Sequence, residues 1–133
     1  VQGQDRLQMT APELVQEGIF YMLAGAHTTI HSLTHAVHEI LGWAAANPDK
    51  ARQLRDDPFF VQRCVYESVR LHPSSPVAKR RALADLRLAD GSTVVAGDEV
   101  VVHLHAANRS EALFGPAPDR FDPHRPLARG PLP

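Results

Sequence analysis

Residues 23–31 read LAGAHTTIH, in the middle of a long stretch patterned as helix. A glycine weakens a helix interior by about 1 kcal/mol against alanine, and threonine stiffens at χ1 or bonds back to the preceding turn. One such residue is ordinary; a glycine and two adjacent threonines mark a place where the helix opens or where something comes close to it. Outward from this stretch, Thr10-Ala11-Pro12-Glu13 has capping-box spacing with proline in the first turn. Asn47-Pro48 stops the pattern at the other end. One unusually long helix over 10–46 is therefore predicted. On a helical wheel Val15, Ile19, Met22, Ala26, Ile30, Leu33, Val37, Ile40 and Ala44 form an apolar stripe. Glu13, Glu17, His27, His31, His35 and His38 share the other side, with Ala24, Gly25 and Thr28 beside them.

Residues 18–38 contain no Asp, Glu, Lys or Arg, which raises a membrane span as an alternative. Four histidines and several hydroxyls in that window make insertion costly, and the span is rejected. The 133 residues suggest one domain or part of a larger one, with ordinary hydrophobic (44%) and charged (22%) fractions. The net charge of −1 comes without a basic block, so nucleic acid is not expected as a partner. A single cysteine, Cys64, excludes an internal disulfide framework and fits a reducing cytoplasm. The opening VQGQDRLQMT has neither the cationic start nor the apolar run of a signal peptide. Its lack of an initiator methionine leads us to expect an excerpt of a longer chain.

Beyond the long helix, Pro48 to Arg55 reads as a short helix, and Asp57-Pro58 caps another over 57–72, ended by His72-Pro73. On that second helix Val61, Cys64, Val65 and Ser68 share a face, while Glu67 and Arg70 sit three apart on a neighbouring one. Residues 80–88, 93–95 and 99–104 read as short strands joined by Asp90-Gly91 and Ala96-Gly97-Asp98 turns, a small antiparallel sheet within 78–105. Residues 106–133 read as a helical turn followed by a Pro/Arg-rich loop. The fold class expected is α+β.

Four of these stretches, in order, resemble the cytochrome P450 monooxygenases of the soluble bacterial type. LAGAHTT is similar to the oxygen-binding part of that family's central helix, and YESVRLHP (66–73) to its Glu-x-x-Arg helix. VAKRRALADLRLADGSTVVAGDEVVVHLHAANR is similar to the sheet that follows, and DRFDPHRP (119–126) to the loop that locks the Glu-Arg pair. The resemblance implies a partial P450 domain over 1–133 within a mainly α fold. It implies that Ala24 and Gly25 let haem and a diatomic ligand approach the helix, and that Thr28 helps deliver protons to bound oxygen. The family usually has an acidic residue before that threonine; His27 stands there and can itself relay protons. The resemblance also implies a buried network of Glu67, Arg70 and Arg120, and places Arg80 against a haem propionate, a job its forked guanidinium suits. Arg81 is a register competitor for that role.

The family's iron-ligating cysteine lies in a glycine-rich loop after the segment resembled by DRFDPHRP, and the sequence ends at Gly130-Pro131-Leu132-Pro133 without it. Cys64, on an apolar helix face, reads as a packed core thiol. The resemblance thus implies a C-terminal-half segment of an enzyme that binds haem b, oxidises a small organic substrate with O2 and draws electrons from a ferredoxin-type partner. This chain alone is expected not to retain haem. Two other readings stand beside it. One is a truncated, non-catalytic remnant or interaction module. The other is a metal-binding helix, since His27, His31, His35 and His38 fall within about 80° of the wheel.

Overall fold

In the computed structural model, residues 9–126 are described. They form helix α1 (Ala11–Ala46), a turn of helix α2 (Gln53–Asp56) and helix α3 (Pro58–Leu71). Four short strands follow, β1 (Ala78–Arg81), β2 (Leu86–Arg87), β3 (Thr93–Val94) and β4 (Glu99–Val102), then single turns α4 (Leu104–Ala107) and α5 (Glu111–Phe114). The result is α+β. Among the described residues no helix is long and apolar enough to cross a membrane.

Helix α1 runs for 36 residues, about 54 Å at 1.5 Å per residue. At its start the Thr10 backbone N–H and hydroxyl both donate to Glu13 Oε2, at 2.7 and 2.8 Å. Those bonds hold the Glu13 carboxyl below its usual range. At its end Asn47 Nδ2 donates to the Trp43 carbonyl at 2.9 Å before Pro48 forbids another turn. Helix α3 starts where Asp57 Oδ1 accepts the Phe59 N–H at 2.9 Å, with Pro58 in its first position.

The helix does not open at LAGAHTTIH. Thr28 donates its hydroxyl to the Ala24 carbonyl at 2.6 Å, and Thr34 does the same to Ile30 at 2.8 Å. Each hydroxyl thereby satisfies itself on the preceding turn, a mild local weakening that α1 absorbs without a break. A Cβ added at Gly25 would meet nothing within 4 Å, as at Gly18 and Gly42, so Gly25 lies on open helix surface and does not break the helix.

The predicted apolar stripe is not the face that α1 buries. Val15 keeps 62% of its surface exposed, Met22 74% and Leu33 61%. Among the described residues α1 packs mainly on helix α3, and on another side: Ala36 is buried, His35 stacks on His72, and the Trp43 ring lies 5.2 Å from that of Phe60. Periodicity identified an apolar face but not its partner. On α3 the buried set is Phe60, Cys64, Glu67, Ser68, Arg70 and Leu71. The predicted face centred on Cys64 and Ser68 is thus widened towards Glu67, and Val65 falls to its rim.

The strands form two separate two-stranded antiparallel ladders, not one continuous sheet. In one, Arg80 pairs with Val100 and Arg81 with Glu99; in the other, Leu86 pairs with Val94. The single strand predicted over 80–88 is interrupted because Ala82 exchanges backbone bonds with Gly97 and Asp98, and Asp85 accepts the Ala96 N–H through its side chain. Gly91 (φ 88°) and Gly97 (φ 94°) supply the left-handed backbone that the two turns require.

Candidate functional site

The most buried polar feature lies on α3. Glu67 is 7% exposed, Arg70 9% and Arg125 9%. The fork of Arg70 grips both carboxylate oxygens, Nη2 to Oε1 at 2.7 Å and Nε to Oε2 at 2.8 Å. Oε1 also accepts Arg125 Nε and the Asp122 N–H, each at 3.1 Å. The remaining donors of both arginines reach backbone carbonyls: Arg70 Nη1 bonds Asn108 and Pro118, Arg125 Nη1 bonds Phe114, and Arg125 Nη2 bonds Ala117 and Arg120. Arg70 Cζ stands 4.9 Å above the Phe114 ring, a cation–π contact. One carboxylate thus organises two guanidiniums, and through them the irregular segment 108–125 is fastened to α3.

Arg125, not Arg120, completes the network. The Arg120 side chain is exposed and contributes only its carbonyl to this cluster, as an acceptor for Arg125. The cause is a turn: His124 N–H bonds Asp122 Oδ1 at 3.0 Å and Arg125 N–H bonds the Asp122 carbonyl at 3.0 Å, carrying Arg125 back towards Glu67. The Asp122-Pro123 pair is the sequence signal that could have found it. Sequence reasoning also missed Asn108 and Arg109. Asn108 Nδ2 bonds the Arg70 carbonyl at 3.0 Å and Arg109 Nη2 bonds that of Leu71 at 2.6 Å, so together they satisfy the carboxyl end of α3.

The other site residues lie apart from this cluster. Ala24, Gly25 and His27 are on the exposed surface of α1, with Thr28 partly covered. Arg80 is exposed on β1, its guanidinium bonded to the Lys79 carbonyl at 2.8 Å. Arg81 bonds the Gly97 carbonyl at 3.1 Å. Among the described residues no group of His, Cys, Asp and Glu side chains is arranged to hold a metal ion. The histidine-stripe reading is corrected accordingly, because His31 packs edge-on against His35 at 4.5 Å and His35 stacks on His72.

Cys64 is fully buried, and burial pushes its thiol up to about 11. A neutral, enclosed thiol is neither a nucleophile nor a metal ligand. One turn along, the Ser68 hydroxyl is buried and has no hydrogen-bond partner among the described residues. Arg80 is an exposed guanidinium on β1 and Gly25 lies on open helix surface, while the one cysteine of this sequence, enclosed on α3, is not placed to ligate an iron.

The chain thus sets a long helix carrying Gly25 and Thr28 ahead of a helix whose buried Glu67–Arg70 pair is locked by Arg125 from an irregular loop. The family model for cytochrome P450 matches residues 19–130. The chain is 39% identical over 107 residues to the cytochrome P450 family protein EryCII of Saccharopolyspora erythraea, a match covering 80% of this chain and 28% of that protein. It is 34% identical over 119 residues to the mycinamicin VIII C21 methyl hydroxylase of Micromonospora griseorubida, covering 90% of this chain and 29% of the relative. Among solved structures it is similar to P450BioI in complex with an acyl carrier protein carrying hexadec-9Z-enoic acid, with TM-score 0.72, 27% identity, and 91% of this chain and 30% of that one covered. The chain belongs to the cytochrome P450 family. It spans less than a third of the length of these relatives.

Proposed function

We propose that this chain is a segment of a haem-thiolate monooxygenase that oxidises a small organic substrate in the cytoplasm, with electrons delivered by a ferredoxin-type partner. The observation that carries the reading is the Glu67–Arg70–Arg125 cluster standing in order after the Ala24-Gly25-Thr28 surface. Haem, once held by a thiolate, supplies dioxygen activation, since the thiolate pushes electron density towards O–O cleavage. The roles of this chain's own residues follow from their atoms. Arg80, exposed on a strand, offers its fork to a propionate. Ala24 and Gly25 leave the helix surface bare enough for a flat ring and a small ligand to approach. Thr28 Oγ1 donates its hydrogen bond to the Ala24 carbonyl at 2.6 Å, so its lone pairs remain free to accept a hydrogen bond and hold in place a water or ligand that carries the proton. His27, exposed beside it, takes the relay position. The Glu67 cluster acts on folding and leaves chemistry to other residues.

A second reading, a non-catalytic module, is favoured by one observation: His27 occupies the place of the family's usual acid. One experiment separates the two. The product of the uninterrupted reading frame containing this segment is purified, reduced and exposed to CO. A red-shifted Soret band of thiolate-ligated haem supports the enzyme; a product without haem, or with haem lacking that band, overturns it in favour of the module.

A further inference from the structure

Where α1 meets the end of α3, two imidazoles lie face to face. The His35 and His72 ring centroids are 4.2 Å apart and their planes differ by 9°. His31 meets His35 edge-on at 4.5 Å. His72 Nε2 lies 2.7 Å from Glu39 Oε1, and a carboxylate only accepts, so that nitrogen carries a proton and donates it. The stack and this contact tie α1, at His35 and Glu39, seven and eleven residues beyond Thr28, to His72 immediately after the helix that carries Glu67 and Arg70.

We propose that the His35–His72 stack makes the junction of α1 and α3 pH-sensitive, closed while His35 is neutral and loosened when His35 takes a proton. A proton on His35 brings positive charge against His72, whose own N–H is already committed to Glu39. The charged and titratable groups acting on His35 are His31, His38 and Glu39 from its own helix and His72 from the end of α3. Loss of hydration is the largest influence, followed by the three imidazoles, all opposing the proton; Glu39 favours it. The net direction is downward from the usual histidine value. An opened or unfolded chain therefore protonates His35 first. The contact is at full strength above the ordinary histidine value of about 6.5 and weakens as pH falls below it.

The test is a histidine NMR titration of the 133-residue chain, with the His35 Cε1–H signal identified by its loss in His35→Asn. Amide exchange at residues 68–72, corrected for intrinsic rates, is followed over the same range. The expected result is a His35 midpoint below that of the same chain in denaturing urea. Protection at the end of α3 is expected to fall as pH drops through that midpoint. His35→Phe keeps a flat ring without a proton and should show level protection. A His35 midpoint at or above the urea value overturns the proposal, as does protection in the native sequence that stays level. If His35→Phe does not fold, the native-sequence midpoint and protection decide alone.

Discussion

Replacing Arg125 with alanine tests the network where the structure departs from the sequence expectation. The change removes the Nε–Glu67 bond at 3.1 Å and the bonds to the Phe114, Ala117 and Arg120 carbonyls at 2.6, 3.0 and 3.1 Å. Four acceptors that now face a guanidinium lose it, and Glu67 keeps only Arg70 as a cation. Breaking a buried charge pair by removing one partner costs about 3–5 kcal/mol. That is a large fraction of the roughly 5–15 kcal/mol available to a domain. Arg120→Ala trims an exposed side chain and should change stability by no more than about 0.5 kcal/mol. In urea unfolding followed by far-UV circular dichroism, a slope of about 1–3 kcal/mol per molar turns the Arg125 loss into a midpoint shift of roughly 1 M or more. Arg125→Lys retains charge but not the fork, and should fall between the two. Equal midpoints for Arg125→Ala and Arg120→Ala would refute the reasoning.

Other consequences follow from the same packing. Cys64, with its thiol near 11, should be ionised to only about one part in a thousand at pH 8, so a thiol reagent should label it only after denaturation. Because the unfolded chain loses that proton first, stability should decline as pH rises from about 9 towards 11, seen as a falling urea midpoint. Ser68→Ala removes a buried hydroxyl that has no partner among the described residues, and should stabilise by about 0.5–1.5 kcal/mol in the same unfolding assay; a loss would contradict this. Thr28→Ala, made in the full reading-frame product, should leave haem content intact and divert oxygen consumption from substrate oxidation to peroxide. An unchanged ratio would count against its proton-handling role.

The helix boundaries were legible because they are local chemistry. Thr10 with Glu13, Asn47 before Pro48, and Asp57 before Pro58 each satisfy or remove backbone groups within a few residues, and α1 and α3 begin and end there. The break in the strand at Ala82–Asp85 was not legible, because it depends on partners near Gly97 that are distant in sequence. The wheel showed that α1 has an apolar stripe, yet the packing within this chain runs through Ala36, His35 and Trp43. Hydrophobic periodicity says which face is apolar and not which neighbour is near. Glu67 and Arg70 were visible from their spacing, but choosing between two arginines five residues apart required knowing that Asp122 folds the chain back.

The central claim is that this framework is shaped to lie against a haem whose iron is gripped by a sulfur that is not Cys64. Titrating the 133-residue chain with hemin, then reducing it under CO, addresses that claim directly. The account predicts haem association at most, without the red-shifted thiolate band, and an identical spectrum for Cys64→Ser. A thiolate band that appears with the native sequence and vanishes in Cys64→Ser would contradict it.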